Sequence, residues 1–207
     1  MTTQTIKVGI CGLGTVGQGV IALLSEGGDV LSNRVGGTIE LVHVATRTPK
    51  PQVDTLGARA SRDVFDVARD PNVDVLIELI GGTTVAKDLV VEALNEGKHV
   101  VTANKALLAD HGNELFALAE SKGVALRFEA AVAGGIPVIE AVKTSLAGNH
   151  VSSVAGIING TGNFILTEMA AEGREFADVL AEAQELGYAE ADPTFDVDGT
   201  DAAQKLV

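Results

Sequence analysis

The chain has 207 residues, 46% of them hydrophobic, with 24 glycines and 5 prolines, which excludes a disordered or collagen-like polypeptide and suffices for one large domain or for one domain and part of a second. Its 15 basic and 28 acidic residues leave a net charge of -13, which repels phosphate backbones and argues against a nucleic-acid partner. The single cysteine, Cys11, excludes an internal disulfide or a zinc cluster, and with no signal pattern and no apolar run near the ~18 residues of a membrane span, a cytoplasmic protein without membrane attachment is expected.

Aromatic residues are scarce at 3%, so Val, Ile, Leu and Ala must build the core, the set that fills parallel α/β sheets. Ile6 to Cys11 reads as a strand, followed by a glycine turn and a helix over Val16 to Leu24. Ile39 to Ala45 is a second strand, and Pro49, Pro51 and Gly57 mark a loop after it. A short helix over Asp63 to Arg69, a strand over Val73 to Leu79 and a helix over Val85 to Glu96 come next. His99 to Thr102 is a brief strand, Asn104 to Lys122 a long helix closed by Gly123, and Ala125 to Glu129 a further strand. About five strands alternating with helices predict an α/β, Rossmann-like doubly wound parallel sheet over residues 1–130.

After residue 130 a small-residue linker ending at Pro137 leads into a helix over Val138 to Leu146, a strand over Val151 to Ile158, and helices over Phe164 to Glu172 and Phe176 to Leu186. Tyr188 to Asp198 reads as an acidic loop, and a last helix starts near Gly199. That helix has no terminating glycine or polar cap, as if the chain had been cut, and residues 131–207 are expected to form an incomplete second domain of α+β type.

Gly12-Leu13-Gly14-Thr15-Val16-Gly17 matches G-x-G-x-x-G. The first glycine permits the tight turn, the second lets the backbone approach a pyrophosphate, and the third lets helix and strand pack closely. The hexapeptide alone is weak in so glycine-rich a chain, where it can simply be a packing turn. Its position after a buried strand and before an amphipathic helix makes it a dinucleotide site. No carboxylate stands at the end of the second strand to hold a ribose 2′-hydroxyl. Arg47 stands there instead, with Lys50, Arg59 and Arg62 in or near the following loop, a donor set that suits the 2′-phosphate of NADP, with NAD as the alternative. Gly81-Gly82-Thr83-Thr84 follows the third expected strand, where backbone can line the nicotinamide half, and Lys105 lies at the mouth of the next strand.

Thr102-Ala103-Asn104-Lys105-Ala106-Leu107, Asn159-Gly160-Thr161-Gly162-Asn163-Phe164-Ile165-Leu166 and Gly187-Tyr188-Ala189-Glu190-Ala191-Asp192-Pro193, in this order behind the glycine turn, resemble homoserine dehydrogenase over essentially the whole chain. The resemblance implies reversible, NAD(P)H-dependent reduction of L-aspartate 4-semialdehyde to L-homoserine on the path to threonine and methionine, with residues 131–207 as an incomplete substrate or catalytic domain. It implies that Lys205 is the proton donor or acceptor and Lys105 the second active-site lysine, touching cofactor and substrate. Asp201 and Glu190 are implied to orient the substrate, Glu190 at its ammonium group, with Asp196 and Gly187 beside them. A sodium ion is implied on Glu129 and the carbonyls of Val132, Gly134 and Ile136, as is a homodimer for the full-length protein.

Plainer readings stand beside these. Asp201 and Lys205 have the spacing of an ordinary i,i+4 surface pair worth about 0.3 to 0.5 kcal/mol, and the linker at Glu129 is equally a hinge. A lysine at a helix start such as Lys105 is electrostatically unfavourable, which invites a functional explanation. An EF-hand calcium loop is excluded, because Gly199 directly follows Asp198 and no glutamate closes the loop. An acylating aldehyde dehydrogenase needs a thiol nucleophile, and Cys11 is expected inside the first strand. His43, His99, His111 and His150 show no metal or triad spacing. The remaining rival is a truncated NADP-binding module without turnover.

Overall fold

The computed structural model describes residues 4–207, which divide into two compact units, one ending at Gly135 and one of Ile136–Val207. The division lies a few residues beyond the boundary expected at 130. In the first unit β1 (Gln4–Cys11), β2 (Gly37–Ala45), β3 (Arg59–Ser61), β4 (Val75–Glu78), β5 (His99–Thr102) and β6 (Leu126–Arg127) form one sheet. All its pairings are parallel and its order is β3-β2-β1-β4-β5-β6, which makes it a Rossmann-like sheet that reverses its winding between β1 and β4.

Helices α1 (Thr15–Glu26), α2 (Gly28–Val35), α3 (Val64–Ala68), α4 (Thr84–Asn95) and α5 (Lys105–Lys122) accompany the sheet. Side chains alternate across it as a pleated strand requires. Val8 and Ile10 of β1 join Leu41 and Val44 of β2 and Leu13 and Ile21 in one cluster. The pairing of β1 with β2 skips Val42, and that bulge places Leu41 and Val44 together despite their odd spacing. Cys11, Leu76 and Val100 join Leu89, Val90 and Leu94 of α4 and Leu107 and Leu115 of α5 in the other cluster. Full burial of each such aliphatic side chain contributes roughly 1.5 to 3 kcal/mol. Helix α5 starts where expected because the Asn104 carboxamide accepts from the Leu107 amide, and it stops at Gly123 in the left-handed conformation.

The second unit contains α6 (Val138–Glu140), a π-helical turn over Ala141–Ser145, α7 (Gly160–Glu172), α8 (Phe176–Glu185), α9 (Thr194–Val197) and α10 (Thr200–Leu206). Ile165 of α7, Val179 and Ala183 of α8, and Ala189 form its core.

Several expectations are corrected. Three-residue β3 lies in the stretch taken for a loop, and pairs its Arg59, Ala60 and Ser61 with His43, Val44 and Ala45. Too short to show alternation, it exists through its ladder to β2. Helix α2 was not anticipated; none of its residues is buried, so it lacks the apolar face that a periodicity argument uses. The strand expected over Val151 to Ile158 does not form: the segment has no ladder partner among the described residues, and Val154 and Ile157 are 65% and 79% exposed. A β-branched run becomes a strand only when a neighbour takes its backbone hydrogen bonds. The acidic loop contains α9, started by Asp192, whose carboxylate accepts from both the amide and the hydroxyl of Thr194.

Candidate active site

The carboxyl ends of the strands in the first unit are in register. Cys11 pairs with Ala45 and Glu78, and Glu78 with Thr102, so the turns that follow share one edge of the sheet. The Gly12 amide donates to Ala45 O at 2.8 Å, and Gly12 adopts φ +105, where a side chain would also strike Leu79 O at 2.5 Å. A Cβ on Gly17 would lie 2.0 Å from Gly12 O, so helix and turn touch backbone to backbone. A Cβ on Gly14 would meet nothing within 4 Å. Two glycines therefore close the turn, and the middle one leaves open space at the amino end of α1, where the first amides point outward and a pyrophosphate fits. Gln18 braces this arrangement by donating from Nε2 to Leu13 O and Gly14 O at 3.1 and 3.3 Å. Gln18 was not anticipated; as a helical polar residue it carries no sequence signal of its own.

At the end of β2, Arg47 is exposed and makes no ion pair among the described residues. Arg62 is likewise exposed. Arg59 lies 3.8 Å from Asp70 with its side chain 65% exposed. Asp70 also receives His43 Nδ1 at 2.8 Å, and His43 Nε2 lies 3.2 Å from Ser61 Oγ. Residues whose spacing showed no triad thus form a Ser61, His43, Asp70 chain. The hydroxyl of Ser61 also donates to Asp63 O at 3.0 Å and His43 is fully buried, so the chain cross-links β2, β3 and the residues after α3. Burial by itself raises the pKa of Asp70, but the Asn72 amide and the His43 and Asn72 side chains outweigh it and hold the carboxyl below its ordinary range.

After β4, the turn Ile80 to Thr83 carries left-handed Gly81 and Gly82. Lys105 is the first residue of α5, directly after its cap Asn104. Cys11 is fully buried and burial pushes its thiol pKa up, which suits the packing role expected of it. Glu129 opens a 3-10 turn through Ala131. Ala133 and Gly135 have positive φ, and no hydrogen bond ends on the carbonyls of Val132 and Gly134 among the described residues. Ile136 belongs to the second unit, where its carbonyl accepts from Val138 N at 2.8 Å. No cluster of three or more His, Cys, Asp or Glu side chains suited to a metal occurs among the described residues.

In the second unit a cavity of about 600 Å³ is lined by Asn159, Thr161, Phe164, Asp196, Asp201 and Lys205 among others. Lys205 donates to Asp201 Oδ2 at 2.5 Å and to Ile158 O at 2.6 Å. With side chains 19% and 9% exposed, the two residues are not the solvated surface pair that their spacing permits. Asn159 joins them: its Nδ2 donates to Asp196 Oδ1 at 2.7 Å and Asp201 Oδ2 at 2.8 Å, while its Oδ1 caps α7 by accepting from Gly162 N. The rings of Phe164 and Tyr188 lie 5.0 Å apart, and Thr161 Oγ1 donates to Tyr188 O. Of the four residues expected at the substrate, Asp196 and Asp201 line this cavity and Gly187 and Glu190 do not; both of the latter are exposed. Asn159 carried no expected role, although an asparagine just before an apolar helix is a cap signal.

No helix of the described residues is long and apolar enough to cross a membrane. Residues 12–129 match the family model described as "Homoserine dehydrogenase, NAD binding domain", and residues 137–207 the model described as "Homoserine dehydrogenase". A homoserine dehydrogenase from Pseudomonas aeruginosa is 60% identical over 203 residues, covering 98% of this chain and 47% of that protein. A crystal structure of a homoserine dehydrogenase from Thiobacillus denitrificans superimposes with a TM-score of 0.92 at 51% identity, over 99% of this chain and 48% of that one. A hyperthermophilic archaeal homoserine dehydrogenase in complex with NADPH superimposes with a TM-score of 0.83 at 26% identity, over 98% of this chain and 67% of that one. The chain spans about half the length of the curated relatives it matches.

Proposed function

The chain belongs to the homoserine dehydrogenase family, and from that premise we propose that it binds NADP and takes part in the reversible conversion of L-aspartate 4-semialdehyde to L-homoserine, in threonine and methionine biosynthesis. The observation that carries the reading is Lys205, held at the cavity wall by Asp201 and Ile158 O.

The glycine turn holds the pyrophosphate on the outward amides at the start of α1. Arg47 faces the 2′-phosphate and sets the preference for NADP over NAD. The bound cofactor supplies or takes up the hydride. Lys205 Nζ gives a proton to the substrate oxygen as the aldehyde becomes an alcohol and takes it back in the reverse direction. Asp201 and Ile158 O hold that ammonium in place. Asp196 and Asp201 place two carboxylates on the cavity wall, and a substrate ammonium group is favoured beside them. Glu190 with Gly187 is assigned to the same ammonium and Lys105 to contacts with cofactor and substrate, both on the family resemblance. So is a sodium ion on Glu129 and the carbonyls of Val132, Gly134 and Ile136, supported by the carbonyls of Val132 and Gly134, on which no hydrogen bond ends among the described residues. A cytoplasmic homodimer completes the reading for the full-length protein.

Steady-state assay of the chain with NADPH and aspartate semialdehyde tests it. Turnover abolished in Lys205→Ala, with NADPH binding intact, is the expected result. A second reading, an NADP-binding module without turnover, is favoured by the half-length match to relatives; NADPH binding with no turnover in the unchanged chain selects it.

A further inference from the structure

Glu78 is fully buried at the end of β4, in the middle of the sheet, and nothing in the reading above uses it. A carboxylate there is costly unless its oxygens are satisfied. Its Oε1 accepts from the amides of Ile80 and Gly81 at 2.9 and 3.2 Å. Its Oε2 accepts from Thr102 Oγ1 at 2.5 Å. No basic side chain pairs with it among the described residues. Thr102 Oγ1 in turn accepts from the Asn104 amide at 3.0 Å, and Asn104 Nδ2 donates to Gly82 O at 2.7 Å. The chain of bonds closes on itself. It ties the turn after β4 to the cap of α5, so that Gly81, Gly82 and the backbone carrying Lys105 form one body.

We propose that Glu78 is a positioning residue for the nicotinamide half of the dinucleotide: through Thr102 and Asn104 it locks together the two loops that receive that half. The proposal rests on the NADP reading above. A buried carboxylate without a cation is a poor element of stability, since an apolar residue in its place packs without a desolvation cost. What only an acceptor can do here is hold two loop amides and a hydroxyl at once, and both loops lie on the edge of the sheet where a doubly wound fold takes its ligand.

The test compares NADPH with 2′,5′-ADP, which shares the adenosine end and lacks the nicotinamide, in fluorescence and calorimetric titrations of the chain. Glu78→Ala and Thr102→Val are expected to weaken NADPH by about tenfold or more while 2′,5′-ADP changes less than about twofold, the loss being that of buried hydrogen bonds near one end of the ligand. Glu78→Gln retains an oxygen for the loop amides and presents an amide to Thr102, and Thr102→Ser keeps the hydroxyl; both are expected to restore most of the NADPH affinity. Equal weakening of both ligands, or no weakening of NADPH in Thr102→Val, overturns the proposal. Should Glu78→Ala fail to fold, the Thr102 pair decides the matter alone. If the unchanged chain binds neither ligand, the NADP reading itself fails and the inference with it; if it binds both and the variants behave as wild type, only the inference fails.

Discussion

Asp201 and Lys205 stand one helical turn apart on α10, joined at 2.5 Å, and both are largely withdrawn from solvent. An exposed pair of this spacing is worth little. A buried one is kept at a cost in desolvation, and its use lies in holding a charged group at a defined place. Replacing Asp201 by Asn leaves the shape of the site and removes the charge that faces the ammonium. Turnover in Asp201→Asn is expected to fall by roughly a hundredfold or more, the scale of a misplaced general acid, while the NADPH dissociation constant stays within about twofold, since that pair lies in the unit without the glycine turn. Unchanged turnover would remove Asp201 from the mechanism.

Asn159 has two duties that substitutions can separate. Asn159→Ala removes both the helix cap and the clamp on the carboxylates. It is expected to cost about 1 kcal/mol in stability through the cap and to lower turnover as well. Asn159→Asp keeps an acceptor for Gly162 N but sets a third carboxylate against Asp196 and Asp201. Its stability is expected to drop as pH rises from 4 to 7, as like charges develop, whereas the unchanged protein shows no such fall. Urea unfolding at the two pH values distinguishes them.

The glycine turn yields a contrast between neighbours. Gly17→Ala drives a Cβ into Gly12 O and Gly14→Ala meets open space. The first is expected to lower the thermal midpoint by several degrees through strain in the first unit. The second is expected to leave the midpoint unchanged and weaken NADPH, because the added methyl occupies the approach of the pyrophosphate. Equal thermal midpoints for the two variants would contradict this geometry.

Arg47 is exposed at the end of β2 and makes no ion pair among the described residues. Arg47→Ala is expected to weaken NADPH at least about tenfold, the loss of a charge-assisted phosphate contact, and NADH by less than about twofold. Parallel titrations with the two cofactors read the difference; equal losses would assign Arg47 to the shared part of the ligand or to neither.

Asp70 makes stability depend on acid. Its folded pKa lies below the ordinary carboxylate value because of its hydrogen bonds to Asn72 and His43, burial acting the other way. The folded state therefore binds the proton less readily than the unfolded chain. The contribution is complete above the unfolded pKa of about 3.9, and it is lost as pH falls through the lower folded value. Asp70→Asn is expected to be less stable than the unchanged protein at pH 7 and to lose less on acidification to pH 3. Unfolding curves of both proteins at the two pH values give the comparison, and identical acid sensitivity would exclude Asp70 as its source.

Much of this protein was legible along the chain because the relevant signals are local. Apolar runs of strand length, helical spacing after a glycine turn, Asn104 before a helix and Gly123 after it each act within a few residues, so the sheet, its long helices and the site of the dinucleotide turn could be placed. Where local signal and partner disagreed, the partner decided. Val151 to Ile158 has the composition of a strand and no ladder, while Arg59 to Ser61 has too few residues to signal anything and pairs with β2. The chain by itself determined the doubly wound alternation, the glycine turn and the Asp201 to Lys205 spacing, all of them features of neighbours in sequence. Only tertiary structure decided that Asn159 reaches Asp201 across 42 residues and Thr102 reaches Glu78 across 24, and that His43 and Asp70 meet with Ser61. Such meetings depend on strand order, register and helix packing, which no stretch of the sequence contains on its own.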